Sequence, residues 1–145
     1  MASFRSLVGI PPSSASTGDS VLVIIDAQNE YANGQLRIHE VEESRKVIAA
    51  VLAKYREAKA PIIHVVHKTP DGAPVFTPGT DLANEFTELT PKGDESVVTK
   101  QFPGSFTGTN LKQLLTDSGR KKVVLTGYMV SNTPSKASVD AKLVL

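Results

Sequence analysis

Val21-Leu22-Val23-Ile24-Ile25-Asp26-Ala27-Gln28 is the stretch on which the fold turns. Aliphatic residues, most of them β-branched, run without a polar break and end at an acid. Such a run suits a strand covered on both faces, hence the centre of a parallel sheet. In open parallel sheets, ligands bind beyond the carboxyl ends of the strands. Asp26 therefore stands where chemistry is done. The competing reading is plainer: an acid that closes a strand and opens a loop.

Working outward, residues 41–58 form a helix. Val47, Ile48, Val51, Leu52 and Tyr55 recur at spacings of three and four, and charged residues fill the other face. Lys59-Ala60-Pro61 stops it. Residues 61–67, 95–100 and 122–128 read as three further strands, the third strand of the chain ending in Lys100. Residues 29–37 are a polar loop with the turn dipeptide Asn33-Gly34, where Tyr31 is expected to pack. Residues 68–92 carry Pro70, Pro74, Pro78 and Pro91 and form a long cover or interaction surface, with a short helix over 82–89. Thr109 caps a helix over 110–118, buried through Leu111, Leu114 and Leu115 and ended by Gly119. Thr133-Pro134 reads as an N-cap followed by proline at the first helical position, opening a helix over 135–145. Strands alternating with helices give an α/β protein: a three-layer, Rossmann-like parallel sheet with helices on both faces.

The 145 residues suffice for one domain with a real core. A Ser/Pro-rich lead-in over 1–19, pinned by Val8 and Ile10, precedes the domain at 20–145. The formal net charge is +1 with both signs interspersed, so neither nucleic acid nor a membrane surface is an expected partner. No apolar run approaches the roughly 20 residues of a membrane span. The N-terminus lacks the apolar core of a signal peptide, and a cytoplasmic protein is expected. The absence of cysteine excludes disulfides, thiolate metal sites and a thiol nucleophile. His64 and His67, three apart on a strand, face opposite sides, so neither a metal nor a cofactor is expected. No glycine-rich phosphate loop follows any strand, which disfavours a nucleotide binder.

Asp26, Lys100 and the bend at Thr133 each lie just past the carboxyl end of a strand, and so converge on one rim. A carboxylate to move a proton, an ammonium to stabilise charge and backbone N–H groups at a helix start compose a plausible nucleophile site.

At these residues the chain resembles the isochorismatase-like cysteine hydrolase family. The segments are Val23-Ile24-Ile25-Asp26-Ala27-Gln28, Ile63-His64-Val65-Val66-His67, Val98-Thr99-Lys100 with Phe102-Pro103-Gly104-Ser105-Phe106, and Leu125-Thr126-Gly127-Tyr128-Met129. They follow the family's own order over residues 20–141. The resemblance implies a doubly wound α/β fold and an Asp–Lys–Cys triad, with Asp26 as general base and Lys100 assisting. It implies an oxyanion hole from the N–H groups of Val130 and Thr133, a cis peptide at Met129-Val130, and Gln28, Phe102, Tyr128 and Val130 against a small-molecule substrate. Family members cleave amide-type C–N bonds through the thiol. True isochorismatases instead hydrolyse a vinyl ether without thiol attack.

Two departures stand out. Thr133 occupies the position of the nucleophilic cysteine. A threonine hydroxyl is far less acidic than a thiol of pKa ~8.5 and is crowded by its methyl group. A helix cap is the favoured role for Thr133. The family fold also continues through two more strands and a helix, whereas this chain stops at Leu145. The fourth strand is then expected to present Val123, Val124 and Leu125 as an open edge, covered by another copy in a homo-oligomer. Two functions stay open: a hydrolase acting on a vinyl ether or amide, or a non-catalytic relative that binds a small ligand or a partner chain.

Overall fold

The structure, a computed structural model, describes residues 7–9, residues 14–129 and the backbone of residues 142–144. Its elements are β1 (Ser20–Ile25), α1 (Glu30–Asn33), α2 (Val41–Glu57), β2 (Ile62–His67), β3 (Ser96–Lys100), α3 (Leu111–Asp117), β4 (Lys122–Gly127) and β5 (Lys142–Val144). They form one sheet in the order β3-β2-β1-β4-β5. The first four strands are parallel, and β5 joins β4 antiparallel.

The uninterrupted apolar run of β1 has the expected cause. Every residue of the strand is buried, because alternate side chains feed two different cores. Leu22 and Ile24, with Ile62, pack beneath Ile48, Leu52 and Tyr55 of α2, joined by Phe86, Leu89 and Tyr128. Val21, Val23 and Ile25, with Ile63, Val65 and Val98, pack against Leu111 of α3. Helix α2 carries Glu42 and Glu43 in its first turn and Lys54 and Arg56 in its last, which suits the helix dipole.

Four expectations need correction. Residues 82–89 do not form one helix. Two 3-10 turns, Asp81–Ala83 and Thr87–Leu89, flank an extended piece in which Glu85 bridges to Gln28. Pairing with the chain after β1 competes there with local helical bonds. The loop after β1 holds a helical turn, α1, whose Tyr31 is buried as foreseen. Val8 is half exposed, so it does not pin the lead-in, and Ile10 lies outside the described residues. Residues 142–144, expected as helix, are a strand: Lys142, Leu143 and Val144 pair with Leu125, Val124 and Val123. The backbone edge of β4 offers three residues of partners that a helix could not use, so the edge on which the homo-oligomer expectation rested is covered. The rest of the expected 135–145 helix lies outside the described residues.

One glycine is fixed by this topology. Gly127 ends β4 with φ +121°, and a Cβ there would sit 1.9 Å from the carbonyl oxygen of Ile25. No side-chain adjustment relieves a clash with backbone. Gly127→Ala is therefore expected to lower the unfolding free energy by about 3 kcal/mol or more. Denaturant melts of the two chains check this, and an unchanged midpoint would refute it.

Candidate active site

Asp26 follows the last residue of β1 in left-handed backbone conformation, with φ +53°. An aspartate tolerates this region better than most residues. Its N–H is bonded to the Val65 carbonyl, which ties the turn to β2. Lys100 ends β3, on the far side of β2. Its ammonium reaches across to Asp26 Oδ2 at 2.8 Å and donates a second bond to the Pro103 carbonyl at 3.0 Å. Both side chains are almost wholly buried, at 3% and 2% exposure. The other carboxyl oxygen, Asp26 Oδ1, is buried with no hydrogen-bond partner among the described residues. Burial pushes the Asp26 pKa up to about 6, against the opposing pull of the Lys100 ammonium. The rim thus holds a buried carboxyl whose pKa is raised toward neutrality, with one oxygen lacking a partner among the described residues.

Other side chains expected at the site fall in different places. Gln28 is fully buried and committed to main chain. Its amide donates to the carbonyls of His67 and Ala83, at 3.0 and 2.7 Å, and its oxygen accepts from His67 N–H at 2.8 Å. Tyr128 is buried beneath α2. Its hydroxyl meets Ser44 Oγ at 2.7 Å, and its ring packs against Tyr31 and edge-on to Phe86. Phe102 is half exposed in the loop after β3. Thr133, Val130 and the Met129-Val130 peptide lie outside the described residues.

Several polar residues take partners that the sequence did not announce. Glu30 is fully buried, and its carboxylate accepts from the N–H groups of Gln35, Leu36 and Phe76 at 2.7, 3.2 and 3.0 Å. This explains Gly34: a Cβ there would lie 2.2 Å from Glu30 Oε1. Asn33-Gly34 was legible as a turn, but the acid folded over it was not. His64, also fully buried, lies between Glu85 and Glu95, each 3.0 Å from a ring nitrogen. Burial works against the imidazolium, yet the two carboxylates outweigh it and raise the His64 pKa. Glu95 is pushed up by burial but held down to about 2 by the Arg56 guanidinium, the Lys92 N–H and His64. This ionic chain fastens the 68–92 segment and the start of β3 to α2 and β2. Among the described residues no cluster of three or more His, Cys, Asp or Glu side chains is arranged to hold a metal ion. Nor is any helix there long and apolar enough to cross a membrane.

Comparison with known proteins identifies the family. Residues 20–141 match the isochorismatase domain family. The chain is 64% identical over 129 residues to the secreted isochorismatase effector Isc1 of Verticillium dahliae, covering 89% of this chain and 68% of that protein. It is 33% identical over 112 residues to the uncharacterised isochorismatase family protein YddQ of Bacillus subtilis, covering 76% of this chain and 62% of that one. Among solved structures, an isochorismatase of Pseudomonas putida superposes with a TM-score of 0.80 at 30% identity, covering 88% of this chain and 66% of that chain. N-carbamoylsarcosine amidase of Thermoplasma acidophilum superposes with a TM-score of 0.69 at 26% identity, covering 76% and 68%. The chain thus spans roughly two thirds of the length of these relatives. With a domain match over most of its length, a 64% identical relative and a solved isochorismatase that superposes on its sheet, this chain belongs to the isochorismatase family.

Proposed function

We propose that the chain hydrolyses a small vinyl ether of the isochorismate kind, with Asp26 as proton donor and Lys100 as the charge that orients it. The observation that carries this reading is the buried Asp26 carboxyl, one oxygen held by Lys100 and the other without a partner among the described residues. A vinyl ether is cleaved by delivering a proton to its terminal carbon. The resulting oxocarbenium carbon accepts water, and the hemiketal falls apart to an alcohol and a ketone. A general acid works best with a pKa near ambient pH, and Asp26 at about 6 meets that condition better than an ordinary carboxyl. No step needs a thiol. Amide cleavage does need the family's nucleophile, and these 145 residues contain no cysteine. The names of the Verticillium and Pseudomonas relatives support the vinyl ether; that of the Thermoplasma amidase supports the amide.

The missing cysteine also favours a second reading, a non-catalytic relative whose pocket holds a small ligand or a partner chain. Location is a separate matter. A cytoplasmic chain was expected, whereas the Verticillium relative is named as secreted. Fractionating an expressing culture into cells and medium decides between the two.

Incubating the purified chain with isochorismate should release pyruvate, and Asp26→Asn should slow this by about 100-fold or more. Saturable binding of isochorismate without release would establish the second reading instead. Thr133→Cys should add cleavage of small amides if the remaining site is complete; an inert Thr133→Cys chain would sink that part.

The acid itself can be observed directly. The Asp26 carboxyl carbon should titrate near pH 6 by NMR, and Lys100→Met should move that midpoint upward by removing the opposing charge. The stability sign follows. Between the ordinary value of 3.8 and about 6, only the folded chain holds the proton. This group therefore favours the folded state at low pH, and its contribution is lost as pH rises through that window, by about 1.4 kcal/mol per unit. Asp26→Asn should remove that slope from pH-dependent melts.

A further inference from the structure

His67 closes β2 between the two strands that carry Asp26 and Lys100. It is the ladder partner of Lys100, and partners on neighbouring strands project to the same face, about 4.8 Å apart. Its imidazole therefore shares a side of the sheet with the ammonium that holds Asp26. Its backbone is immobilised on both sides, its N–H by Gln28 Oε1 and its carbonyl by Gln28 Nε2. The ring lies 5.2 Å from that of Phe76, inclined at 54°, and Phe76 stands edge-on to buried Tyr31. The side chain is half-buried, and neither ring nitrogen has a hydrogen-bond partner among the described residues. The contrast with His64 on the same strand is sharp, since both of that ring's nitrogens are occupied by carboxylates. A histidine clamped through its main chain, its ring without a partner among the described residues and on the same side of the sheet as the ammonium that holds Asp26, is placed for proton transfer.

We propose that His67 is the second proton-transfer group of this site, serving the water and the leaving alcohol while Asp26 serves the carbon. The proposal rests on the vinyl-ether reading. Asp26 gives its proton to the terminal carbon, and the adjacent carbon becomes electron-poor. Water bonds to that carbon, and its proton passes to His67. The imidazolium then protonates the ether oxygen as its bond to that carbon breaks. The remaining hydroxyl returns its proton to Asp26 as the ketone forms, and both side chains regain their starting states. Water is the co-reactant, and alcohol and ketone are the products.

The surroundings of His67 keep its ring in the unprotonated form from which a base starts. Burial, and then the Lys100 ammonium, hold its pKa below the ordinary value, so the ring is neutral at neutral pH. The charge that acts on it is the Lys100 ammonium from β3, itself paired with Asp26 from β1. The 68–92 cover presents Phe76, which has none.

The test compares the parent chain with His67→Gln, His67→Ala and Asp26→Asn, using isochorismate as the probe. His67→Gln should lower kcat by about 100-fold or more with KM nearly unchanged, and should abolish the rise of kcat with pH on the acidic side. Added imidazole should restore part of the rate to His67→Ala, an effect that lost packing alone would not produce. Thermal melts show that the variants are folded; if His67→Gln is not, the imidazole response of His67→Ala decides. Parental kcat and pH profile in His67→Gln, with activity lost in Asp26→Asn, overturn this inference alone. No turnover by the parent chain overturns the vinyl-ether reading and this inference with it.

Discussion

The contact between Asp26 and Lys100 sets terms for the rest of the molecule. Removing two opposite charges from water costs several kcal/mol per ion, and only close, well-directed pairing offsets it. Here the pair is held at 2.8 Å, although the two residues end strands that are not neighbours. The lysine side chain has to pass the end of β2, so all three strands must keep their register. The left-handed turn at Asp26 and the second bond of Lys100 to Pro103 fix each end. The cost of burial appears where it matters for chemistry, as a carboxyl pushed up toward neutrality.

The rim is kept in order by polar side chains that bond to irregular backbone. Residues 68–92 contain little regular structure, and buried main-chain groups there still need partners. Three consecutive residues after β1 supply many of them. Gln28 holds the end of β2 and the Ala83 carbonyl, Asn29 bonds to Asp81, and Glu30 gathers the N–H groups of two loops. The cover is joined to α2 through the ion pair of Arg45 with Glu88 and the bond from Arg56 to the Thr90 carbonyl, and Arg56 also pairs with Glu95 just before β3. Arg45 also lies 4.3 Å above the centre of the Phe86 ring. The cover is therefore held as much by directed bonds as by apolar burial.

Much of this was legible in the residue order, and the boundary has a physical cause. The four parallel strands, α2 and α3 declare themselves through periodic apolar residues, because each faces a continuous core. Asp26 and Lys100 are legible as a pair because both follow such strands. Helix α1 and the two 3-10 turns carry no such period, since long-range bonds to other loops shape them. The buried acids Glu30, Glu85 and Glu95 look like ordinary surface charges in the chain, and only their distant partners explain their burial. Residues 142–144 illustrate the same limit: an apolar tail is compatible with helix or strand, and the open flank of β4 selected the strand.

The position of β1 has a consequence for how the chain comes into being. This central strand precedes every other described strand, yet Ser20 pairs with Lys122 about a hundred residues later. During synthesis, β1 and β2 can join early, while one flank of the most apolar strand waits for β4. Until nearly the whole described sheet has left the ribosome, that flank has no partner strand.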